Sequence, residues 1–391
     1  MRTAKTVFWV ALAVVLFSGG YALGYLRSEG RFDEGDKKLW EARENIQAYF
    51  IGEYDDGALL DAAVEGMIDS LGDEWSYYVP ASAYDSFVDS TENAYVGVGV
   101  SVLFEEEPCA LLVTKVVSGS SAEEAGVTAG DRIVGVDGAA LQADSLAEAS
   151  ALVTGEEGTF VTLTLRHEDG SEADVTLERR RMQTSPVTSE MMADNVGYIR
   201  IENFDAGAGE GFEKAVTDLT DAGARALVCD VRDDPGGSLD ELLDMLDLLL
   251  PAQTTIVMRD NTGAEEAYTS DADCVTTPVA VVVNEYSYSA AEFFAAALQE
   301  AGRATIVGTK TYGKGYSQVP LELSDGSAMA LSVYAYFTAE GKSLIGTGVT
   351  PDVTVTLTDE EDARFVAGSL ALADDPQIAA AVRTLETAVA A

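Results

Sequence analysis

The spacing of hydrophobic residues first sets apart an N-terminal helical segment. Over residues 30–92, apolar residues recur at helical spacing, as at Leu39, Ile46 and Phe50, and Gly72 closes a second such group. This period matches one face of an α-helix, and a glycine is a frequent helix stop. The pattern predicts helices that pack beside the remaining domains.

Residues 93–181 follow a different pattern, in which apolar and polar residues alternate. The clearest example is residues 159–165, where Val161, Leu163 and Leu165 are separated by threonines. Alternation with a period of two is typical of a half-buried β-strand. This part of the chain is therefore predicted to form a small β-rich domain.

Residues 182–356 combine both signals. Short apolar runs that predict buried strands are separated by helical stretches, and the runs lie at residues 197–201, 226–231, 279–284 and 304–307. Strands that alternate with helices predict an α/β fold. The final residues, 357–391, return to a helical period and are predicted to form a C-terminal helical segment.

An uncharged apolar run precedes all of these segments. It extends over residues 7–26 and follows Arg2 and Lys5. About 20 apolar residues span a bilayer, and basic residues before the run favour a cytoplasmic N-terminus. Residues 1–28 are therefore predicted to be a transmembrane signal anchor or a cleaved signal peptide. Either way the rest of the chain is expected outside the cytoplasm, as a single-pass membrane protein or in secreted form.

The charge balance excludes one class of partner. The 391 residues include 67 acidic and 24 basic side chains, a formal net charge of -43, so the phosphates of a nucleic acid would be repelled. The acidic residues are scattered, which indicates solubility and says little about the substrate. Cys109, Cys229 and Cys274 are widely spaced, so neither a metal site nor a disulfide framework is predicted. No organic cofactor is implied.

The scarcity of histidine restricts the chemistry that the chain can perform. His167 is the only histidine, and it lies at the end of a predicted strand in the β-rich domain. Any Ser-His-Asp arrangement would have to recruit this one residue. If the chain hydrolyses a substrate, the base is therefore expected to be a carboxylate or a lysine.

Lys314 is the lysine of most interest, because Gly313 and Gly315 flank it in a predicted loop. The stretch from Gly308 to Lys314 also satisfies most of the phosphate-loop pattern of nucleoside triphosphatases. Gly315, however, replaces the hydroxyl residue that would hold magnesium. In addition, Pro320 and the alternating residues around it predict a strand where the motif requires a helix. We therefore set the nucleotide-binding alternative aside.

Ser289 lies between a predicted buried strand and a predicted helix, at the helix N-cap. Glu292 follows three residues later, so the two residues predict a capping box and require no catalytic explanation. A helix N-terminus also offers free N–H groups and the positive end of a dipole, which would stabilise an oxyanion. A similar turn occupies residues 230–237, and Ser238 with Glu241 predicts a second capping box there.

Two glycine-containing stretches of the β-rich domain resemble PDZ domains. Residues 125–138 resemble the most recognisable PDZ stretch, and residues 95–100 resemble the loop that binds a peptide carboxylate. Successive backbone N–H groups in such a loop can hold a terminal carboxylate while the peptide adds as a strand. The predicted peptide-binding residues are Val96, Gly97, Val98 and Gly99.

Taken together, the ordered motifs resemble the carboxyl-terminal processing (tail-specific) proteases. The resemblance rests on residues 70–73, the PDZ stretch, residues 230–237, residues 289–298, the Gly313–Gly315 loop and residues 348–352. It implies a Clp-protease/crotonase-like α/β core at 182–356, with an inserted PDZ domain at 93–181 and a helical segment at 30–92. The implied substrates are proteins or peptides with free C-termini, and a second copy of the chain, in a homo-oligomer, is a further candidate partner.

The resemblance also implies roles for individual residues. Ser289 would be the nucleophile, Lys314 the general base and Gln318 the residue that orients the lysine, while Gly237 and Ala290 would supply the N–H groups of the oxyanion hole. Ser287 is the rival nucleophile. A second hypothesis remains, in which the chain is a peptide-binding PDZ scaffold without catalytic activity and Ser289 only caps its helix.

Overall fold

The computed structural model describes residues 34–167 and 169–389, which divide into two compact units, one ending at Gly66 and one beginning at Met67. The predicted membrane segment at residues 7–26 lies outside the described residues. Within the described ranges, no helix is both long and apolar enough to cross a membrane.

The first unit contains helix α1 (Glu34–Tyr49) and most of helix α2 (Asp56–Asp69). The guanidinium of Arg43 forms an ion pair with the carboxylate of Asp56. Helix α1 buries none of its residues, and Trp40 is 58% exposed. The helical period of the sequence is thus confirmed here, although the apolar face of α1 is not buried.

The second unit opens with strand β1 (Tyr77–Val79) and helix α3 (Ala81–Thr91), and the β-rich domain follows. The elements of that domain are β2 (Ala94–Gly97), β3 (Val100–Glu105), β4 (Ala110–Val116), α4 (Ser121–Glu124), β5 (Arg132–Val136), β6 (Ala139–Ala140), α5 (Leu146–Val153), β7 (Phe160–Arg166), β8 (Glu172–Glu178) and β9 (Arg180–Gln183).

The β-rich domain forms an antiparallel sheet in the order β3-β4-β5-β7-β8, and β2 pairs with β9 in a separate ribbon. Strand β7 shows why the sequence folds in this way. Val161, Leu163 and Leu165 face the domain core and are each 1% exposed, whereas the threonines between them are half-buried. The alternation therefore provides one apolar face for the sheet.

The α/β core follows, and it contains two sheets. Its elements are β10 (Val187–Met191), β11 (Val196–Ile201), α6 (Ala208–Asp221), β12 (Ala226–Asp230), α7 (Leu239–Leu249), β13 (Thr254–Asp260), β14 (Glu265–Thr269), β15 (Val279–Val283), α8 (Ala290–Glu300), β16 (Ala304–Gly308), β17 (Tyr316–Glu322), β18 (Ala328–Thr338) and β19 (Val353–Thr354). The predicted α/β fold is confirmed.

The central sheet has the order β10-β11-β12-β15-β16-β19, and all neighbours except β10 and β11 run parallel. Every residue of β12 and β15 is buried, because the sheet is covered on both faces. Phe212, Leu246 and Phe294 of helices α6, α7 and α8 belong to the core cluster on one face. Since β12 and β15 are parallel neighbours, the turns after them meet at one edge of the sheet.

The second sheet has the order β1-β18-β13-β14, with β17 paired to β18. Strand β1 therefore joins the α/β core although it lies within the segment predicted to be helical, at residues 77–79. Beyond the sheets, the chain forms helices α9 (Asp359–Val366) and α10 (Pro376–Val389). Helix α10 covers the other face of the central sheet, where Ile378 and Ala381 pack with Val228 and Val282.

A buried charge network attaches this C-terminal segment to the end of β12. The guanidinium of Arg232, 1% exposed, forms ion pairs with Asp230 at 2.6 Å and Asp375 at 2.8 Å, and the ring centroid of Phe365 lies 4.1 Å from its central carbon. Burial opposes the charged form of Asp230, but Arg232 and Arg200 outweigh it and lower the pKa of Asp230 to about 2. The network fixes the chain just before the turn at residues 233–237.

Candidate active site

Ser289 is the N-cap residue of helix α8, in the turn that follows strand β15. Its backbone has φ 59° and ψ -123°, a combination that a residue with a side chain rarely adopts and that persists only where surrounding contacts hold it. Its N–H donates to Oε2 of Glu292 at 3.2 Å, so the carboxylate half of the predicted capping box is present. Ser289 is 9% exposed.

The carboxylate of Glu292 does more than cap the helix. Its Oε1 accepts hydrogen bonds from the N–H of Gly313 at 2.7 Å and the hydroxyl of Thr311 at 2.5 Å, and its Oε2 accepts from the N–H of Lys314 at 2.8 Å. Burial raises the pKa of Glu292, and these hydrogen bonds oppose that rise. One buried carboxylate therefore ties the backbone of Ser289 to the backbone of Lys314.

The side chain of Lys314 is half-buried between aromatic rings. Its Nζ lies 4.5 Å from the ring centroid of Trp75 and 5.8 Å from that of Tyr288. Burial lowers the pKa of Lys314, while the negative charges of Asp73 and Glu292 act in the opposite direction. A lowered lysine pKa increases the neutral fraction near physiological pH, and only the neutral amine can accept a proton.

Trp75 belongs to this site, and the sequence pattern did not predict that it would. The sequence pattern predicts that Trp75, Tyr77 and Tyr78 are core aromatics, but Tyr77 is 45% exposed and the other two are only half-buried. Trp75 instead packs with Tyr288 and Tyr312, at centroid distances of 5.9 and 5.4 Å. The sequence signal near Trp75 is the Gly72-Asp73 pair, which follows helix α2. This pair predicts a loop, but it does not predict which residues the loop contacts.

The turn at Gly236 and Gly237 lies directly against Ser289. A Cβ at Gly236 would stand 2.7 Å from the Cβ of Ser289 and from the backbone nitrogen of Ala290, and a Cβ at Gly237 would stand 2.3 Å from the carbonyl carbon of Phe204. With φ values of 88° and 152°, both positions require glycine. Within the part of the chain that the structure describes, the N–H groups of Gly237 and Ala290 have no hydrogen-bond partner, so both are available to a ligand atom.

The second predicted capping box is wrong. The hydroxyl of Ser238 does accept a hydrogen bond, from the N–H of Asp240 at 3.1 Å. The carboxylate of Glu241, however, accepts from the N–H groups of Gly207 and Gly209, at 3.0 and 2.6 Å. Glu241 therefore caps the neighbouring helix α6, because the unpaired N–H groups at the start of that helix compete for the same carboxylate.

Ser287, the rival nucleophile, is engaged in the turn. It is fully buried, and its hydroxyl donates to the carbonyl of Val231 at 2.6 Å and accepts from the N–H of Asn284 at 3.0 Å. These contacts join the turns after β12 and β15. The hydroxyl of Ser287 is thus occupied by structural hydrogen bonds.

Gln318 is not brought into hydrogen-bond contact with Lys314. Its Nε2 donates to the hydroxyl of Ser332 at 2.9 Å. The N–H of Ser332 in turn donates to Oγ of Ser76 at 3.0 Å, and that hydroxyl donates to the carboxylate of Asp73 at 2.5 Å. Gln318 therefore supports the loop that carries Asp73 and Trp75, and through that loop the surroundings of Lys314.

The predicted peptide-binding loop borders a groove between β3 and α5. Gly97, Val98 and Gly99 line this groove, whereas Val96 pairs with Arg181 in the β2–β9 ribbon. The other walls are mostly apolar and include Val100, Val102, Leu111, Ile133 and Val153. His167 lies in the same domain. Its Nδ1 lies 2.7 Å from Oδ1 of Asp131, and this contact gives the histidine a structural role in the domain.

Two family profiles match this chain. The profile of Peptidase family S41 matches residues 195–355, and that of the PDZ domain matches residues 112–167. The carboxy-terminal processing protease CtpA of Bacillus subtilis is 32% identical over 353 residues, which cover 90% of this chain and 75% of that protein. The carboxyl-terminal-processing protease of Synechocystis is 34% identical over 300 residues, 75% of this chain and 70% of the relative.

Solved structures show the same fold. The photosystem II D1 C-terminal processing protease superimposes with a TM-score of 0.50 at 27% identity, over 87% of this chain and 92% of that one. A Bacteroides fragilis protein described as an S41 protease gives a TM-score of 0.52 at 21% identity, over 87% of this chain and 93% of that one, which supports the fold alone.

Proposed function

The chain belongs to peptidase family S41, the serine-type carboxyl-terminal processing proteases, and from that premise we propose that it is an endopeptidase with a Ser289–Lys314 dyad. The observation that carries this proposal is the carboxylate of Glu292, which accepts hydrogen bonds from the N–H groups of both residues. A nucleophile and its base must be held in one fixed arrangement to act together.

The proposed reaction follows serine acyl transfer with a lysine base. The neutral amine of Lys314 takes the proton of the Ser289 hydroxyl as its oxygen attacks the scissile carbonyl carbon. The N–H groups of Gly237 and Ala290 stabilise the oxyanion that forms. The ammonium of Lys314 then protonates the leaving amine, and water, deprotonated by the same lysine, hydrolyses the acyl-enzyme.

The role of Gln318 in this proposal is indirect. It holds Ser332, and through Ser76 it fixes the loop with Asp73 and Trp75. The ring of Trp75 stabilises the ammonium form of Lys314 by a cation–π contact. This contact therefore stabilises the ammonium that forms when Lys314 accepts the proton of Ser289.

Mass spectrometry of the products tests the proposed reaction. Wild-type protein is expected to cleave a polypeptide with an apolar free C-terminal tail, and Ser289→Ala is expected to leave the same substrate intact, because the attacking oxygen is gone. Circular dichroism spectra of the two proteins control for folding. Products from Ser289→Ala at the wild-type rate would refute the assignment of the nucleophile.

We further propose that substrates are selected by the groove of the PDZ domain. The N–H groups around Gly97, Val98 and Gly99 would bind the terminal carboxylate, and the apolar walls would take the last side chain. Proteins that end in an apolar residue are then the preferred substrates.

A charge in the groove is expected to weaken tail recognition. Val102→Lys places an ammonium on the apolar wall and is expected to raise KM for an apolar-tailed substrate by about tenfold, the equivalent of about 1.4 kcal/mol, with little change in kcat. Leu103→Lys is the matched control, because Leu103 is the next residue of β3 and is 57% exposed. Equal KM values for the two variants would contradict the proposed selection.

We also propose that the catalytic part lies outside the cytoplasm. This proposal rests on the uncharged run at residues 7–26 and on Arg2 and Lys5 before it. Cell fractionation tests it, since recovery of the full chain in the cytosol would be inconsistent with export.

A further inference from the structure

Asp234 lies inside the turn that carries Gly236 and the proposed oxyanion-hole residue Gly237. Its Oδ1 accepts the N–H of Gly236 at 2.8 Å, and its backbone carbonyl accepts the N–H of Tyr288 at 3.1 Å. Asp234 therefore connects the Gly236–Gly237 turn to the residue that precedes Ser289. Its side chain is fully buried.

The second carboxyl oxygen of Asp234 has no role in the reaction described above. Among the described residues, its Oδ2 has no hydrogen-bond partner and is shielded from solvent. An ionised carboxylate that is buried without a partner is strongly disfavoured, whereas a neutral carboxylic acid is far easier to accommodate.

The charges around Asp234 do not supply a compensating cation. Arg200 is the nearby cation, but its Nη1 forms an ion pair with Oδ1 of Asp230 at 3.1 Å. Asp205, which follows β11, and Asp230, at the end of β12, both add negative charge, and Tyr288 faces Asp234 from the turn before α8. Across the described residues, no lysine or arginine forms an ion pair with Asp234.

Burial therefore raises the pKa of Asp234 well above the ordinary aspartate value. The hydrogen bond from Gly236 and the charge of Arg200 act against this rise, and the charges of Asp205 and Asp230 add to it. Burial and Glu241 also raise the pKa of Asp205, to about 6, so Asp205 is ionised at alkaline pH.

We propose that Asp234 is a positioning residue that holds the oxyanion turn as a neutral carboxylic acid, and that its ionisation as the pH rises switches the protease off. The proposal rests on the dyad mechanism above. A negative charge next to Gly236 opposes the oxyanion that the N–H groups of Gly237 and Ala290 stabilise. It also forces a buried, unpaired ion onto the turn itself.

The pH dependence of kcat in the full chain tests this proposal. Activity requires both a neutral Lys314 and a neutral Asp234, so the wild-type kcat is expected to pass through a maximum as the pH rises. One pH unit above the pKa of Asp234, about a tenth of the activity remains. Asp234→Asn keeps an oxygen acceptor for the N–H of Gly236 but cannot ionise, so its activity is expected to stay high there, with KM unchanged.

A second variant keeps the test decisive even if Asp234→Asn folds poorly. Asp205→Asn removes a negative neighbour, which lowers the pKa of Asp234, so the alkaline loss of activity is expected to begin at lower pH. If the folded variants lose kcat at the same pH as the wild type, the proposal is overturned.

Failure of this inference is distinguishable from failure of the dyad. If Ser289→Ala retains wild-type activity, the dyad itself is wrong. If Ser289→Ala is inactive while Asp234→Asn loses activity at alkaline pH as the wild type does, only the role of Asp234 is wrong.

Discussion

Replacing Lys314 by alanine is expected to lower kcat by about 10²- to 10⁴-fold, the range that a general base contributes. The side chain of Lys314 is the amine held in the aromatic cluster next to the Ser289 turn, and burial lowers its pKa. Its backbone N–H, which binds Glu292, is retained in the variant, so the loop is expected to keep its structure. Steady-state hydrolysis of an apolar-tailed peptide measures the effect.

Lys310→Ala is the matched control for this experiment. Lys310 is an exposed lysine four residues earlier in the same loop, and its loss is expected to leave kcat unchanged. In a plot of wild-type kcat against pH, the rise on the acid side is also expected to report a Lys314 pKa below the usual lysine value, because burial disfavours the ammonium form. A kcat for Lys314→Ala within threefold of wild type, or equal losses for both variants, would contradict the assigned base.

Replacing Glu292 by glutamine is expected to reduce both stability and activity. A glutamine has one oxygen acceptor, so its NH₂ group must face either the donors of Gly313 and Thr311 or the N–H groups of Lys314 and Ser289. Each buried donor that is left without a partner costs about 1–3 kcal/mol. Since the same carboxylate positions nucleophile and base, kcat is expected to fall by at least about 10-fold.

Denaturant unfolding and kcat measure the two effects of Glu292→Gln. Glu300→Gln is the matched control, because Glu300 ends the same helix and accepts one backbone hydrogen bond, from the N–H of Glu340, for which glutamine keeps an oxygen acceptor. Its ion pair with Lys342 is long, at 3.9 Å. That weak ion pair contributes at most about 1 kcal/mol. If Glu292→Gln unfolds at the wild-type denaturant midpoint and keeps wild-type kcat, the carboxylate does not organise the site.

Local patterns predict the strands, the helices and the position of Ser289. The period of two in β7 and the buried runs of β12 and β15 depend on neighbours along the chain, which a sequence displays directly. The spacing of Ser289 and Glu292 likewise predicts the cap. The presence of a single histidine restricts the base to a lysine or a carboxylate on composition alone.

The partners of these residues could not be predicted, because they come from distant segments. Trp75 reaches Lys314 from more than two hundred positions earlier, and helical or strand periodicity contains no information about such a contact. Glu241 satisfies the spacing of a capping box, yet the N–H groups of α6 are better placed to bind it. The contact of Gln318 with Ser332 depends on the pairing of β17 with β18.

The most direct test of the account is covalent labelling with a serine-directed reagent, followed by mass spectrometry that identifies the modified residue. The proposed dyad predicts one adduct on Ser289 in the wild type, none on this segment in Ser289→Ala, and much slower labelling in Lys314→Ala. An adduct on Ser287, or labelling of Ser289 at the wild-type rate without Lys314, would contradict the dyad.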